Sequence, residues 1–287
     1  MTRARHFLLC WAAAPALAMS MWLLQIGEAP RSAIMLQAIT AVVGIAICIA
    51  LTRMRSVSRV VDSQWLAMAL TVSLFIPLMV GSENGIARWV VLGSVRLYLA
   101  PVVLPVALLL LGSPPRVPAI HAGTVIVTAI ALVLQPDASQ LTAFALAMLV
   151  LLAASKSHLL LRGALLAVLL CCVVVAWKIP DPLAPVRYVE GVFTLAAEVS
   201  TIALLAALIV AALPVMAFAL IARTTRSTGA LAVATYYAAL LALAPLQVTP
   251  VPLLGFGAGP ILGYFFVAGV IPTSRLYSNR LGVPPLR

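Results

Sequence analysis

The stretch GVFTLAAEVSTIALLAALIVAALPVMAFALIA, residues 191–222, decides the class of this protein. Its single charged residue is Glu198. The run exceeds the roughly 17–25 apolar residues that a helix needs to cross the hydrocarbon core of a bilayer. It therefore reads as a membrane-spanning helix. Working outward, nine more runs of this kind appear, at 6–27, 33–51, 64–81, 98–112, 118–135, 140–154, 159–178, 230–247 and 257–272, with those at 98–112 and 140–154 short. Helices are required because lipid leaves no partner for a free backbone N–H or C=O. The strict alternation of an outer-membrane barrel is missing. The expected fold is an all-α, polytopic integral membrane protein of about ten transmembrane helices, one domain over 1–287. The apolar run after Met1-Thr2-Arg3-Ala4-Arg5 imitates a signal peptide, but its length and the spans that follow favour a retained first helix.

Composition agrees. Hydrophobic residues make up 64% of the chain and charged residues 9%, against about 25% charged in ordinary soluble domains. This excludes a soluble globular enzyme, a disordered tail and a nucleic-acid binder. The formal charge of +11 reads as topology instead. With the N-terminus inside, Arg31, Arg88, Arg96, Lys178 and Arg187 fall outside, and the other 13 of the 18 basic residues fall inside. That asymmetry places both termini in the cytoplasm. Among the acids only Asp62 lies inside; Glu28, Glu83, Asp137, Asp181 and Glu190 fall in outer loops or at outer helix ends. Glu198 lies within the 191–222 span, about two turns below Glu190 if that helix is continuous. Either a polar site sits at the outer face, or acids simply avoid the anionic inner leaflet. Cys10, Cys48, Cys171 and Cys172 lie in apolar runs without metal-ligand spacing, so neither a disulfide nor a zinc site is expected. A phosphate loop, a G-x-S-x-G elbow and an H-E-x-x-H pair are all missing from the sequence.

Four segments carry a resemblance. Gly85-Ile86-Ala87-Arg88-Trp89-Val90-Val91-Leu92-Gly93, Leu134-Gln135-Pro136-Asp137, Val189 to Glu198 (VEGVFTLAAE), and Thr249-Pro250-Val251-Pro252-Leu253 with Gly255, Gly257 and Gly259 follow in this order along the chain. Together they resemble the NGARRWI-x-LG, LQPD, TDFIFAVIGEE and TGIPLPFISYGG elements of the SEDS family (shape, elongation, division and sporulation). Its members are bacterial membrane proteins that polymerise lipid II into peptidoglycan with a class B penicillin-binding protein. The chain departs from the family at three places. Glu190 stands where the family has an aspartate. Leu99-Ala100-Pro101-Val102-Val103-Leu104 replaces QPSE-x-x-K. The outer loop before Glu190 shrinks to about 179–189.

The resemblance implies a peptidoglycan glycosyltransferase in the bacterial cytoplasmic membrane. Its substrate would be lipid II or a related polyprenyl-pyrophosphate glycan, its partners a class B penicillin-binding protein and membrane lipids, with no nucleic acid. Joining a sugar hydroxyl to an anomeric carbon needs a base for the hydroxyl proton and cations for the departing pyrophosphate. The family's aspartate is regarded as catalytic, so the resemblance assigns Glu190 the base role. Partial burial at headgroup depth would raise its pKa; the plain alternative is an acid stabilised at a helix N-terminus. Arg88, Trp89, Asp137, Arg187 and Glu198 are the candidate substrate-binding residues. Arg88 and Arg187 suit pyrophosphate oxygens, or are interfacial and solvated charges. Asp137 is expected to cap the sixth helix with Gln140 three residues on. Glu198 is expected to face the bundle interior, protonated or paired with an outer-loop arginine. No cofactor is expected; a divalent cation near Glu190 and Asp137 is compatible with the spacing but not required by it. The Pro250-Pro252 segment either walls an outer cavity or forms an ordinary turn. Two other functions stay open: a catalytically degenerate scaffold or regulator of wall synthesis, and a transporter or flippase of a lipid-linked substrate.

Overall fold

The computed structural model describes residues 2–54, 64–80, 86–93, 95–113 and 118–271. Gly81, Gly85, Asp62, Glu83, Arg55, Arg59, Arg116, Arg275, Arg280 and Arg287, which enter the motif and charge readings above, lie outside the described residues.

All ten expected runs are helical within those limits. The helices are α1 (Thr2–Ile26), α2 (Arg31–Arg53), α3 (Gln64–Val80, tightened to 3₁₀ at Ser73–Phe75), α4 (Ala100–Leu111), α5 (Pro118–Leu134), α6 (Ala138–Ala153), α7 (Leu159–Lys178), α8 (Val192–Val199), α9 (Thr201–Thr225), α10 (Thr228–Leu243) and α11 (Ala258–Val270). Among the described residues, five helices are long and apolar enough to cross a membrane: α1, α2, α7, α9 and the stretch Thr228–Leu246. α3, α4, α5, α6 and α11 are shorter apolar helices.

Short α4 is the centre of the bundle, with Leu104, Ala107, Leu108 and Leu111 buried completely. It packs against α3, α10 and α11, while α11 also lies along α2. The small residues of α11 allow this close approach. A Cβ at Gly259 would overlap the Tyr98 carbonyl oxygen, and one at Gly263 the carbonyl oxygen of Pro101 at the start of α4. Gly-x-x-x-Gly spacing of this kind brings helix backbones together where lipid offers no hydrophobic drive between helices. α7 sits at the periphery against α5 and α6. Only Leu165, Leu169 and Ala176 of α7 are buried, and Leu160 is 88% exposed. A helix so apolar on its open face is covered by acyl chains rather than water. Tyr264 of α11 donates to the carbonyl of Leu9 in α1 at 2.7 Å, which sets the start of α1 beside α11.

Two features depart from the expected reading. Residues before α4 form a β-hairpin, β1 (Trp89–Leu92) paired antiparallel with β2 (Val95–Tyr98), Trp89 opposite Tyr98 and Leu92 opposite Val95. The connection is two residues long, with Gly93 at φ 63°, the positive φ that tight hairpin turns require. The 191–222 span is not one helix. It breaks at Ser200, which is fully extended (φ −175°, ψ 160°), and the Ser200 hydroxyl accepts the Ala203 N–H at 3.0 Å to cap α9. A serine that supplies an N-cap bond competes with helix continuation.

Candidate functional site

The hairpin, the 179–191 segment and the 247–258 segment gather at one end of the bundle around a cavity of about 360 Å³. Backbone bonds join two of these walls. Phe256 N–H donates to Tyr188 O at 3.0 Å, and Val251 N–H to Val189 O at 3.4 Å. A Cβ at Gly255 would strike the Val189 carbonyl, so that crossing needs glycine. The proline-broken segment is therefore a cavity wall, as one of the two sequence readings held. Gln37 braces it from α2: its side-chain amide donates to Ser20 Oγ (2.8 Å) and Gly255 O (3.3 Å) and accepts from Gly257 N–H (3.2 Å).

Glu190 lines the cavity. It ends a tight turn in which Val189, Glu190 and Gly191 N–H groups all point at the Val186 carbonyl, and its own Oε2 accepts the Val186 N–H at 2.9 Å. Burial raises its pKa above the usual carboxylate range, assisted by the like charge of Asp181; the backbone bonds and Arg88 oppose the rise. The result is a half-buried carboxyl with heightened proton affinity, open to the cavity.

Arg88 also lines the cavity, but its side chain is only 9% exposed and three contacts hold its guanidinium. Nε donates to Gln135 O at 3.0 Å, Nη2 to Pro136 O, and Nη1 to Asp181 Oδ2 at 2.8 Å. It ties the hairpin, the α5–α6 turn and the 179–190 loop together. Burial disfavours its charge, yet Asp137, Tyr98 and Asp181 more than restore it, and its pKa stays raised. Trp89 lines the cavity beside it, with its ring 6.1 Å from that of Tyr98.

Asp137 caps α6 as expected, Oδ1 accepting Gln140 N–H (3.3 Å) and Ser139 Oγ–H (3.2 Å), while Tyr98 O–H donates to Oδ2. It is fully buried and does not line the cavity. Burial raises its pKa, and Arg88 and the Tyr98 hydroxyl pull the other way. Among the described residues no three His, Cys, Asp or Glu come together as a metal-ion site.

Arg187 and Glu198 lie apart from the cavity and pair with each other, their side chains 55% and 50% exposed. The expectation that Glu198 faces the bundle interior is corrected. α8 stops at Val199, so Glu198 sits on a short helix that does not descend into the span, while its expected pairing with a loop arginine is met by Arg187. Four cavity residues were not singled out from the sequence: Asp181, Arg96, Tyr98 and Gln247. Arg96 and Tyr98 become visible once the hairpin is recognised, because WVVL and VRLY flanking Gly93-Ser94 is a hairpin signal.

The same architecture occurs in solved structures. Thermus thermophilus rod shape determining protein RodA superposes with a TM-score of 0.67 at 18% identity, over 95% of both chains. The fold is that of RodA. An aspartate-to-alanine mutant of the same RodA gives 0.66 at 19% identity over 95% of this chain and 96% of that one. A chain from a peptidoglycan synthase complex that coordinates polymerization and crosslinking gives 0.68 at 19% identity over 95% and 96%. No family model matches the sequence, and comparison with curated proteins finds no match. The RodA fold makes the chain a multi-pass membrane protein with a RodA-like helix arrangement, at a sequence distance where activity has to be argued from the site.

Proposed function

We propose that the chain is a polymerase of lipid-linked glycan, a SEDS-type peptidoglycan glycosyltransferase that extends glycan from lipid II at the outer face of the bacterial cytoplasmic membrane. The observation that carries the reading is Glu190, a carboxyl of raised pKa opening onto a cavity with Arg88 and Arg96 on its lining. Glu190 takes the proton from the acceptor sugar hydroxyl as it attacks the donor's anomeric carbon. The cations stabilise the departing lipid pyrophosphate. The cavity end of the bundle faces outward, both termini face the cytoplasm, and a class B penicillin-binding protein is the partner, as the RodA-like fold and the basic-residue asymmetry support. The test is direct. Purified chain, alone and with such a partner, is supplied with lipid II, and glycan length is read on a gel. Glu190→Gln should abolish product; unchanged product would remove the base role.

A second reading, a scaffold without catalysis, draws on α4. Its first turn, Ala100-Pro101-Val102-Val103, offers no acid or lysine to the cavity, where the resembling family has both. Absence of any product from lipid II, with partner binding intact, would favour it.

A further inference from the structure

The ion pair between Arg88 and Asp181 is built asymmetrically. On the arginine side, two of the three contacts are to backbone carbonyls of the α5–α6 turn, those of buried Gln135 and partly buried Pro136. These hold the guanidinium in place whatever happens at Nη1. On the aspartate side, the residue lies in an irregular loop between Pro180 and Pro182. Its side chain is 34% exposed, and its other oxygen only accepts the Leu183 N–H at 3.0 Å. Both partners line the cavity, and Nη1 is the guanidinium nitrogen that Asp181 occupies. One partner is fixed and the other is mounted on a loop.

We propose that Asp181 is a displaceable counter-ion: it neutralises Arg88 until the pyrophosphate group of a polyprenyl lipid takes its place at Nη1. This rests on the reading of the cavity as a lipid-linked glycan site and adds to it a residue that sets how tightly the headgroup is held. A guanidinium N–H donates equally to phosphate and carboxylate oxygens, so the exchange at Nη1 replaces one charge-assisted bond with another and leaves the arginine where it is. Arg96, opposite Val91 in the hairpin, adds a second cation on the same lining. The carboxylate thus competes with the ligand. It weakens affinity for pyrophosphate while adding to the compensation that Asp137 gives the buried cation when no ligand is bound. Such competition favours release of a pyrophosphate product over its retention.

The test uses the full chain in lipid nanodiscs and three probes: a fluorescent polyprenyl pyrophosphate, the matching uncharged polyprenol, and inorganic pyrophosphate. Asp181→Asn removes the charge and keeps the acceptor for Leu183 N–H. Asp181→Ser, with a hydroxyl for the same turn, is the second variant should the amide fold poorly. Removing one like charge a few ångströms from the bound phosphates should tighten polyprenyl pyrophosphate binding about tenfold. Polyprenol binding should not change, and Asp181→Glu should stay within about twofold of wild type. A merely structural residue would weaken all lipid probes together. Wild-type binding of the pyrophosphate lipid with no gain, or a loss, in Asp181→Asn overturns the exchange alone. A gain confined to inorganic pyrophosphate overturns the lipid assignment. No binding of either pyrophosphate probe by wild type overturns the cavity reading together with the exchange.

Discussion

Replacing Arg88 by methionine tests the electrostatic frame of the site most severely. The substitution keeps much of the side-chain volume and removes the charge. Three acceptors then lose a donor: the Gln135 and Pro136 carbonyls and the Asp181 carboxylate. Fully buried Asp137 loses the cation that favours its ionised form. Breaking a buried charge network by removing one partner costs about 3–5 kcal/mol. At two to four degrees per kcal/mol, the melting temperature in detergent should fall by on the order of 10 °C. Arg88→Lys should recover only part of this, since one ammonium cannot span three divergent acceptors that a planar fork reaches. The double variant with Asp137→Asn is the decisive arm. Asparagine still accepts the Gln140 N–H but carries no charge, so the two losses should be less than additive, with coupling of about 1–3 kcal/mol. Fluorescence-detected thermal unfolding of the four proteins measures the cycle. A melting temperature for Arg88→Met within about 2 °C of wild type, or strictly additive shifts, would refute the claim that this arginine holds the cavity end of the bundle together electrostatically.

On the proposed base role, the raised pKa of Glu190 gives polymerisation an acid limb: activity would need the ionised carboxylate and be lost as pH falls through the raised value, above the usual carboxylate range, and a pH–rate profile with its inflection at the ordinary glutamate value would contradict the assignment. The linked stability runs the other way: a raised acid pKa makes ionisation costly to the fold, so the Glu190 contribution is fully present below the unfolded pKa and is lost as pH rises through the folded one. Gly263→Leu should abolish folding or cost several kcal/mol, because its side chain meets the Pro101 backbone, whereas Gly163→Ala in α7, with nothing within 4 Å of its Cβ, should be neutral or mildly stabilising; size-exclusion profiles and thermal midpoints separate the two. Arg187→Gln and Glu198→Gln should each shift the melting temperature by no more than a degree or two, since an ion pair half open to solvent contributes about 0–1 kcal/mol, and a large shift would mean that Glu198 is buried after all.

The helices were legible because the bilayer is a uniform solvent with a simple length rule. Each apolar run named from the sequence is helical among the described residues, down to short α4 and α6. The Asp137 cap was legible for a local reason, since an aspartate at a helix start accepts the N–H three residues on, while the Gln140 side chain accepts the Tyr236 hydroxyl rather than closing the box. The break at Ser200 was missed although its signal was present. A serine flanked by Val199 and Thr201 inside an apolar run offers a capping oxygen, but composition alone does not say whether the run bends there. The hairpin was missed in the same way, its two four-residue strands hidden in what read as loop.

The sequence by itself determined that this chain lives in a membrane, where its helices run and which acid begins the decisive segment. Those properties depend on neighbours within a turn or on transfer from water to lipid, and both are written in consecutive residues. Only the tertiary structure decided that Arg88 belongs to Asp181, that Asp137 is sealed beneath Tyr98, and that Glu198 turns away to Arg187 while Glu190 opens onto the cavity. Each of these pairings joins segments that are remote in the chain or hinges on a backbone break. Charge complementarity between distant residues has no period or spacing from which it could be read.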